Sequence, residues 1–307
     1  MTATAFLAHA DVVLALEPAV ERHLALLKPA GTAWQPSDCL PDFAADDWLD
    51  QLAQLRAGAG AVPDDVLVVL VGDAVTEEAL PNYAVSFNTL VNDREGTSAT
   101  AWARWLRGWT AEENRHGDLL SAYLRLCGRV DMRAVERTVH TLIARGFSAD
   151  TGDDPYRLLV YTSFQERATR MSHASVGRLA AVAGDETLSR ICRLIASDEA
   201  RHEAFYTRMM GEVLAVDPAG GVVAFHEMLC RQIAMPGRRM GSASEPDLFD
   251  RFAAVAQRLG VYTAADYAAI VEHLVATWDI AGRAVAGEAA RAQDELCRMP
   301  ARLARLA

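Results

Sequence analysis

Over most of this chain apolar residues recur every three or four positions, the spacing of one face of an α-helix. Residues 98–127 carry the clearest stripe: Trp102, Trp105, Trp109, Glu113, His116, Leu120, Tyr123 and Cys127 fall on one side. A second stripe runs through Ile191, Ile195, Glu199, His202, Tyr206, Met209 and Val213. Residues 156–182 predict a third long helix, with Thr162, Glu166, Thr169 and His173 along one side. The opening run Val66–Val71 resembles a buried strand in isolation. Its continuation to residue 90 favours a single helix with a local irregularity at Pro81.

Outside these four segments the pattern predicts a helix over 11–27, capped by Asp11 and stopped by Lys28-Pro29-Ala30-Gly31. Irregular chain follows, including Trp34-Gln35-Pro36 and Leu40-Pro41-Asp42, then a short helix over 45–57 that ends at Gly58-Ala59-Gly60. Further helices are expected at 219–234, 263–279 and 285–306, with turns at Asp217-Pro218 and Met235-Pro236-Gly237. Strictly alternating segments and Asn-Gly hairpins are missing, so the expected fold is all-α: a four-helix core bundle with flanking helices.

Composition narrows the class of molecule. At 307 residues with 51% hydrophobic and 23% charged content, the chain can bury a sizeable core. No apolar run reaches the roughly 18 residues of a membrane span. The opening Met1–Phe6 lacks the basic start and apolar core of a signal peptide, so a cytoplasmic protein is expected. The five cysteines (Cys39, Cys127, Cys192, Cys230 and Cys297) show no close pairing, which argues against a disulfide framework or a thiolate zinc site. A net charge of −11 disfavours nucleic acid and anionic membrane as partners. Lys28 is the only lysine; the remaining positive charge is arginine, suited to bidentate grip on phosphate or carboxylate.

The chemistry concentrates where the stripes turn polar. Two copies of acidic-Glu-x-Arg-His occur, Glu112-Glu113-Asn114-Arg115-His116 and Asp198-Glu199-Ala200-Arg201-His202. Spacing of three puts carboxylate and imidazole on one helix face, and periodicity buries that face. A buried carboxylate needs a compensating partner. Along the four long helices the order is Glu77, Glu113 with His116, Glu166, then Glu199 with His202, with separations of 36 and 33 residues that suggest a duplicated helix hairpin. This is the ligand order known for ferritin-like carboxylate bundles. Four carboxylates and two neutral imidazoles balance two divalent ions, and oxygen and nitrogen donors suit Fe(II) or Mn(II) better than copper. Spacing alone leaves Glu78 almost equal to Glu77, and Glu112 or Asp198 could replace their neighbours. His9, His23, His140, His226 and His273 read as ordinary surface or core histidines, and His173 as a residue beside the site.

These residues, with Gly128–Arg133, Thr162–Thr169, Val71-Gly72-Asp73, Thr76–Pro81, Trp34-Gln35-Pro36 and Phe252–Ala264, resemble the soluble acyl-ACP desaturases, the plant plastid stearoyl-ACP type and its actinobacterial relatives. The resemblance covers about residues 30 to 300. It implies a single ferritin-like domain spanning 1–307, with the core ligand helices at about 66–214. It selects Glu77 over Glu78 and Glu113 over Glu112, so that the metal ligands are Glu77, Glu113, His116, Glu166, Glu199 and His202. It further implies that Asp198 accepts a hydrogen bond from His116, that Trp34 extends this chain outward as an electron route, and that Thr169 sets a hydroxyl near the site of O2 chemistry. Ser86, Thr89 and Leu90 would line an acyl tunnel.

The implied activity is O2-dependent insertion of a cis double bond into an acyl chain on acyl carrier protein, with two irons and a ferredoxin-type donor. A homodimer is implied as well. Arg231, Arg238 and Arg239 are a candidate carrier patch. Neither the transit peptide nor the C-terminal extension of the plant enzymes is expected, and the Met235–Glu245 connection differs from theirs. The competing readings are a di-iron oxidase or hydroxylase of another carrier-bound substrate, and an iron-oxidising protein of the ferritin type.

Overall fold

The computed structural model describes residues 3–91, 93–241 and 245–306, without the side chains of residues 3–8, Thr89 and Leu90. The described residues form helices joined by turns and contain no strand, in keeping with the all-α expectation. The helices are α1 (Ala3–Ala15), α2 (Glu17–His23), α3 (Trp48–Ala61), α4 (Asp64–Glu77), α5 (Leu80–Val91), α6 (Ala101–Cys127), α7 (Met132–Arg145), α8 (Pro155–Ala183), α9 (Glu186–Val216), α10 (Pro218–Cys230), α11 (Leu248–Leu259), α12 (Ala264–Thr277) and α13 (Gly287–Leu303).

The three longest, α6, α8 and α9, pack with α4 as the core, and their ends follow from local chemistry. Thr100 caps α6 by accepting from the Ala103 amide, and Gly128 ends it in the left-handed region at φ 72°. Asp154 and Asp185 cap α8 and α9 in the same way. The two join through Gly184-Asp185, where Gly184 has φ 88°, so they return antiparallel. Asp185 also accepts a hydrogen bond from the Tyr123 hydroxyl at 2.5 Å, tying the start of α9 to α6. Aromatic and aliphatic side chains fill the space between helices, with Trp105, Tyr123, Tyr156, Phe164, Phe205 and Tyr206 almost wholly buried.

Several boundaries differ from the expected ones. The helix expected over 11–27 is two, because Pro18 lacks an amide hydrogen and sits in the first turn of α2; Asp11 is exposed inside α1 and caps nothing. The short helix over 45–57 instead runs Trp48–Ala61, straight through the glycines. Gly58 there lies against Asp185, where a Cβ would stand 3.3 Å from the carboxyl carbon. The single helix over 66–90 is broken at Glu78-Ala79. Pro81 falls in the first turn of α5, a position that needs no amide donor, and is not a kink within one helix. Two helices, α7 and α11, were not expected from the pattern at all.

Candidate metal centre

Glu77 is the last residue of α4, and its position is set by close backbone approach. Gly72 meets the ring of Phe252 so tightly that a Cβ would lie 2.0 Å from it, and a Cβ on Gly117 of α6 would come within 3.3 Å of the Glu78 amide nitrogen. Ser121 of α6 donates to Glu78 Oε1 at 2.7 Å, which turns Glu78 away from the core and leaves Glu77 facing inward. Glu113 and His116 come from the middle of α6, Glu166 from α8, and Glu199 and His202 from α9.

The structure brings all six candidate ligands together in two overlapping groups. Glu77, Glu113, His116 and Glu199 offer donor atoms within 4.8 Å of one another, and so do Glu113, Glu166, Glu199 and His202. Glu113 and Glu199 belong to both, as residues spanning two ions must. Each of the six is at most 5% exposed. His116 Nδ1 lies 3.3 Å from Glu199 Oε1 and 3.6 Å from Glu113 Oε2, and His202 Nδ1 lies 2.8 Å from Glu113 Oε1 and 3.5 Å from Glu166 Oε2. Those contacts are misaligned for hydrogen bonding: both Glu199 oxygens, Glu113 Oε1, both His116 nitrogens and His202 Nδ1 have no hydrogen-bond partner. Orphaned buried donors and acceptors are costly, and aimed at a common point they fit a pair of hard or borderline cations.

Electrostatics point the same way. Burial alone would raise Glu113, but the imidazoles of His116 and His202 outweigh it and hold that carboxyl at about 2. Burial, with Glu113 and Glu199 nearby, pushes Glu166 well above the usual carboxylate range. Burial opposes a charge on His116 and His202, yet the surrounding carboxylates raise both well above their ordinary value. Metal ions entering the cluster take the place of those protons.

Around the cluster, the acid before each paired Glu faces the imidazole of the other helix. Glu112 of α6 accepts from His202 Nε2 at 2.9 Å, and also from the Lys28 amide at 2.8 Å and Arg201 Nη2 at 2.9 Å. Asp198 of α9 lies 3.6 Å from His116 Nε2, a gap longer than a hydrogen bond, and is held by Arg115 at 3.0 Å and Arg201 at 2.5 Å. Sequence reasoning left Glu112 without a role; its partner lies 90 residues away, and only the duplication of the motif hinted at it.

The other expected residues fall as follows. Trp34 is buried and stacks on His116 with ring centroids 6.0 Å apart and planes 13° apart. Its indole nitrogen has no partner; Arg115 links it to Asp198, lying 4.6 Å over the ring and donating to the Trp34 carbonyl. Thr169 donates to the Gln165 and Glu166 carbonyls from the wall shared by two spaces. One is a cavity of about 50 Å³ beside Glu113, Glu166 and Glu199, walled by Tyr83, Phe87, Trp109 and Tyr161. The other is an open, mostly apolar cleft of about 740 Å³ that reaches Glu77 and His173 from between α8, α11, α12 and α13. Ser86 is half-buried on α5 and lines neither space, while Thr89 and Leu90 lie outside the described side chains. Trp109, unassigned from sequence, donates to Glu166 Oε1 at 3.1 Å. Of the three candidate patch arginines, Arg231 is tied to the Asp150 carbonyl and Arg239 to that of Gly146, while Arg238 lines the open cleft.

A family model described as fatty acid desaturase matches residues 8–307. The chain is 50% identical over 293 residues to "Stearoyl-[acyl-carrier-protein] 9-desaturase 2, chloroplastic" of Arabidopsis thaliana, covering 94% of this chain and 71% of that protein. It is 49% identical over 300 residues to the "Stearoyl-[acyl-carrier-protein] 9-desaturase, chloroplastic" of Spinacia oleracea, covering 96% and 75%. Among solved structures, DesA2 from Mycobacterium tuberculosis superposes with a TM-score of 0.56 at 20% identity, over 92% of this chain and 99% of that one, a likeness of fold.

Proposed function

The chain belongs to the fatty acid desaturase family, and we propose that it is an acyl-carrier-protein desaturase, placing a cis double bond in a saturated acyl chain carried on acyl carrier protein. The observation that carries this reading is the pair of buried ligand groups sharing Glu113 and Glu199, set in a chain half identical to stearoyl-carrier desaturases. Two irons are the proposed metals, held by Glu77, Glu113, His116, Glu166, Glu199 and His202; the all oxygen and nitrogen donor set supports iron or manganese over softer ions. Bound there, the pair would supply the O2-dependent oxidation that takes two hydrogens from adjacent methylenes, with electrons from a ferredoxin-type donor.

The protein's own part is to hold and to exclude. Glu112 fixes the His202 imidazole from outside, Asp198 sets its charge 3.6 Å from that of His116, and Trp34, stacked on His116 at the edge of the core, is the proposed electron entry. Tyr83, Phe87, Trp109 and Tyr161 give the small cavity an apolar wall against which a methylene segment would be positioned beside the carboxylates. Thr169 sets its hydroxyl on that wall. The cleft of about 740 Å³ falls within the roughly 300–1,000 Å³ of typical ligand sites and offers an apolar approach for the acyl chain, with Arg238 at its lining for an acidic carrier. A homodimer acting in the cytoplasm completes the proposal; no helix among the described residues is long and apolar enough to cross a membrane.

The test is reconstitution with Fe(II), ferredoxin, its reductase and a panel of acyl carrier proteins bearing saturated chains, followed by mass spectrometry of the acyl products. A mass loss of two hydrogens that depends on O2 and on the donor is expected. No such change with metal bound would overturn the reading.

A further inference from the structure

The two carboxylates that belong to one ligand group each are pinned by different donors. Glu166 receives the Trp109 indole N–H at 3.1 Å. Glu77 Oε1 lies 2.9 Å from His173 Nε2, while its other oxygen, Oε2, faces the cluster 3.8 Å from His116 Nδ1. His173 is a third imidazole at the site, 1% exposed, and nothing in the ligand count requires it. Its far nitrogen, Nδ1, lies 4.0 Å from Asp73 Oδ2, too far for a hydrogen bond, and the other oxygen of Asp73 accepts from the Ser172 hydroxyl at 3.0 Å. Ser172 with Asp73 and His173 with Glu77 are thus two hydrogen-bonded pairs side by side, each joining α8 to α4.

We propose that His173 is the positioning residue for Glu77: its Nε2–H occupies one carboxylate oxygen, so that Glu77 offers a single oxygen to the metal it shares with His116. This rests on the reading of Glu77 as a ligand. The geometry makes the need specific. Glu77 is the only one of the six at a helix terminus, and it also borders the open cleft, so helix backbone supports it on the N-terminal side alone. The His173 Nε2–H, set on Glu77 Oε1 at 2.9 Å, restrains the carboxylate, by the principle that fixes metal-bound groups from outside. Glu166, mid-helix and walled by aromatics, needs only the neutral indole.

Anaerobic titration with cobalt(II) tests it, because ligand-field bands report coordination directly. Wild type is expected to take up two ions. His173→Phe, which removes the donor, should weaken one of the two by about 10–100-fold and change the bands of that ion alone; His173→Gln, which keeps an N–H, should restore both. Trp109→Phe should disturb the other ion. The wild-type protein gives an independent reading that no folding defect can obscure: with 15N-histidine label, three of the eight histidine rings should be strongly shifted by bound cobalt, His116, His202 and His173. Only two shifted rings, or a folded His173→Phe that binds both ions with unchanged bands, would overturn the inference. Glu77→Gln separates the underlying reading: if it binds two ions as wild type does, Glu77 is no ligand and both ideas fail; if it loses one while His173→Phe does not, only the role of His173 fails.

Discussion

Glu199→Gln should make the metal-free protein more stable and the metal-loaded protein less so. Glu199 is 1% exposed, neither of its oxygens has a hydrogen-bond partner, and three other candidate carboxylates share the cluster. The isosteric amide removes one of these charges and can donate to a neighbouring carboxylate. Leaving a buried polar group unsatisfied costs about 1–3 kcal/mol, so a gain of about 2 kcal/mol is expected without metal. At about 2.1 cal/mol/K per residue, 307 residues give an unfolding entropy of roughly 0.6 kcal/mol/K, and the midpoint should rise by about 3 °C. With metal at about 1,000 times Kd, each site adds about 4 kcal/mol to wild type, roughly 8 for two. A 100-fold loss of affinity at both sites leaves the variant only about 3 kcal/mol from metal. Wild type should then lead by about 3 kcal/mol, or roughly 5 °C. The assay is thermal unfolding by calorimetry in chelator and in excess Fe(II) or Mn(II) under argon. A variant that melts below wild type in chelator would refute the reasoning, because Glu199 would then be held by the fold for its own sake.

Replacing Glu112 or Asp198 by Ala should lower metal affinity by about 10–100-fold with both histidines still present, measured by anaerobic titration; unchanged affinity in both variants would remove them from any supporting role. Gly72→Ala should destabilise by about 1–3 kcal/mol through overpacking against Phe252, and Phe252→Leu should recover part of the loss in the double variant, both read as midpoint shifts in urea. Asp185→Ala deletes the cap of α9 and the Tyr123 hydrogen bond together, and should cost about 2–3 kcal/mol in the same assay, about half of it retained by Tyr123→Phe.

How far the sequence could be read depended on how local the determining physics was. Stripes on α6, α8 and α9 are long, and their polar interruptions lie inside the buried face, so the helices and the Glu-x-x-His pairs on them were legible from periodicity, while the choice between adjacent acids at 112/113 and 198/199 came from the family resemblance. Glu77 against Glu78 was not, because α4 ends between them and the choice is made by Ser121 and Gly117 on another helix. The helix break moved from Pro81 to Glu78-Ala79 for a related reason: proline is well tolerated in a first turn, and spacing cannot tell a first turn from a kink. For α7 a signal existed and went unused, since Val135, Val139 and Leu142 follow Asp131, which caps the helix through two amides. The contacts of Trp109, Glu112 and His173 run between helices far apart in sequence, which periodicity does not encode.

The crossed arrangement of Glu112 with His202 and Asp198 with His116 bears on how such a chain can change. Each motif supplies an imidazole that faces an acid of the other motif, so neither hairpin is complete by itself. A slip of one turn between α6 and α9, about 5.4 Å, would strip both imidazoles of their outer partners at once. Register between these two helices is therefore checked twice by the same four side chains. Acceptable substitutions at positions 112 and 202, or at 198 and 116, should arise as matched pairs, and half-length fragments should recover metal binding only when mixed.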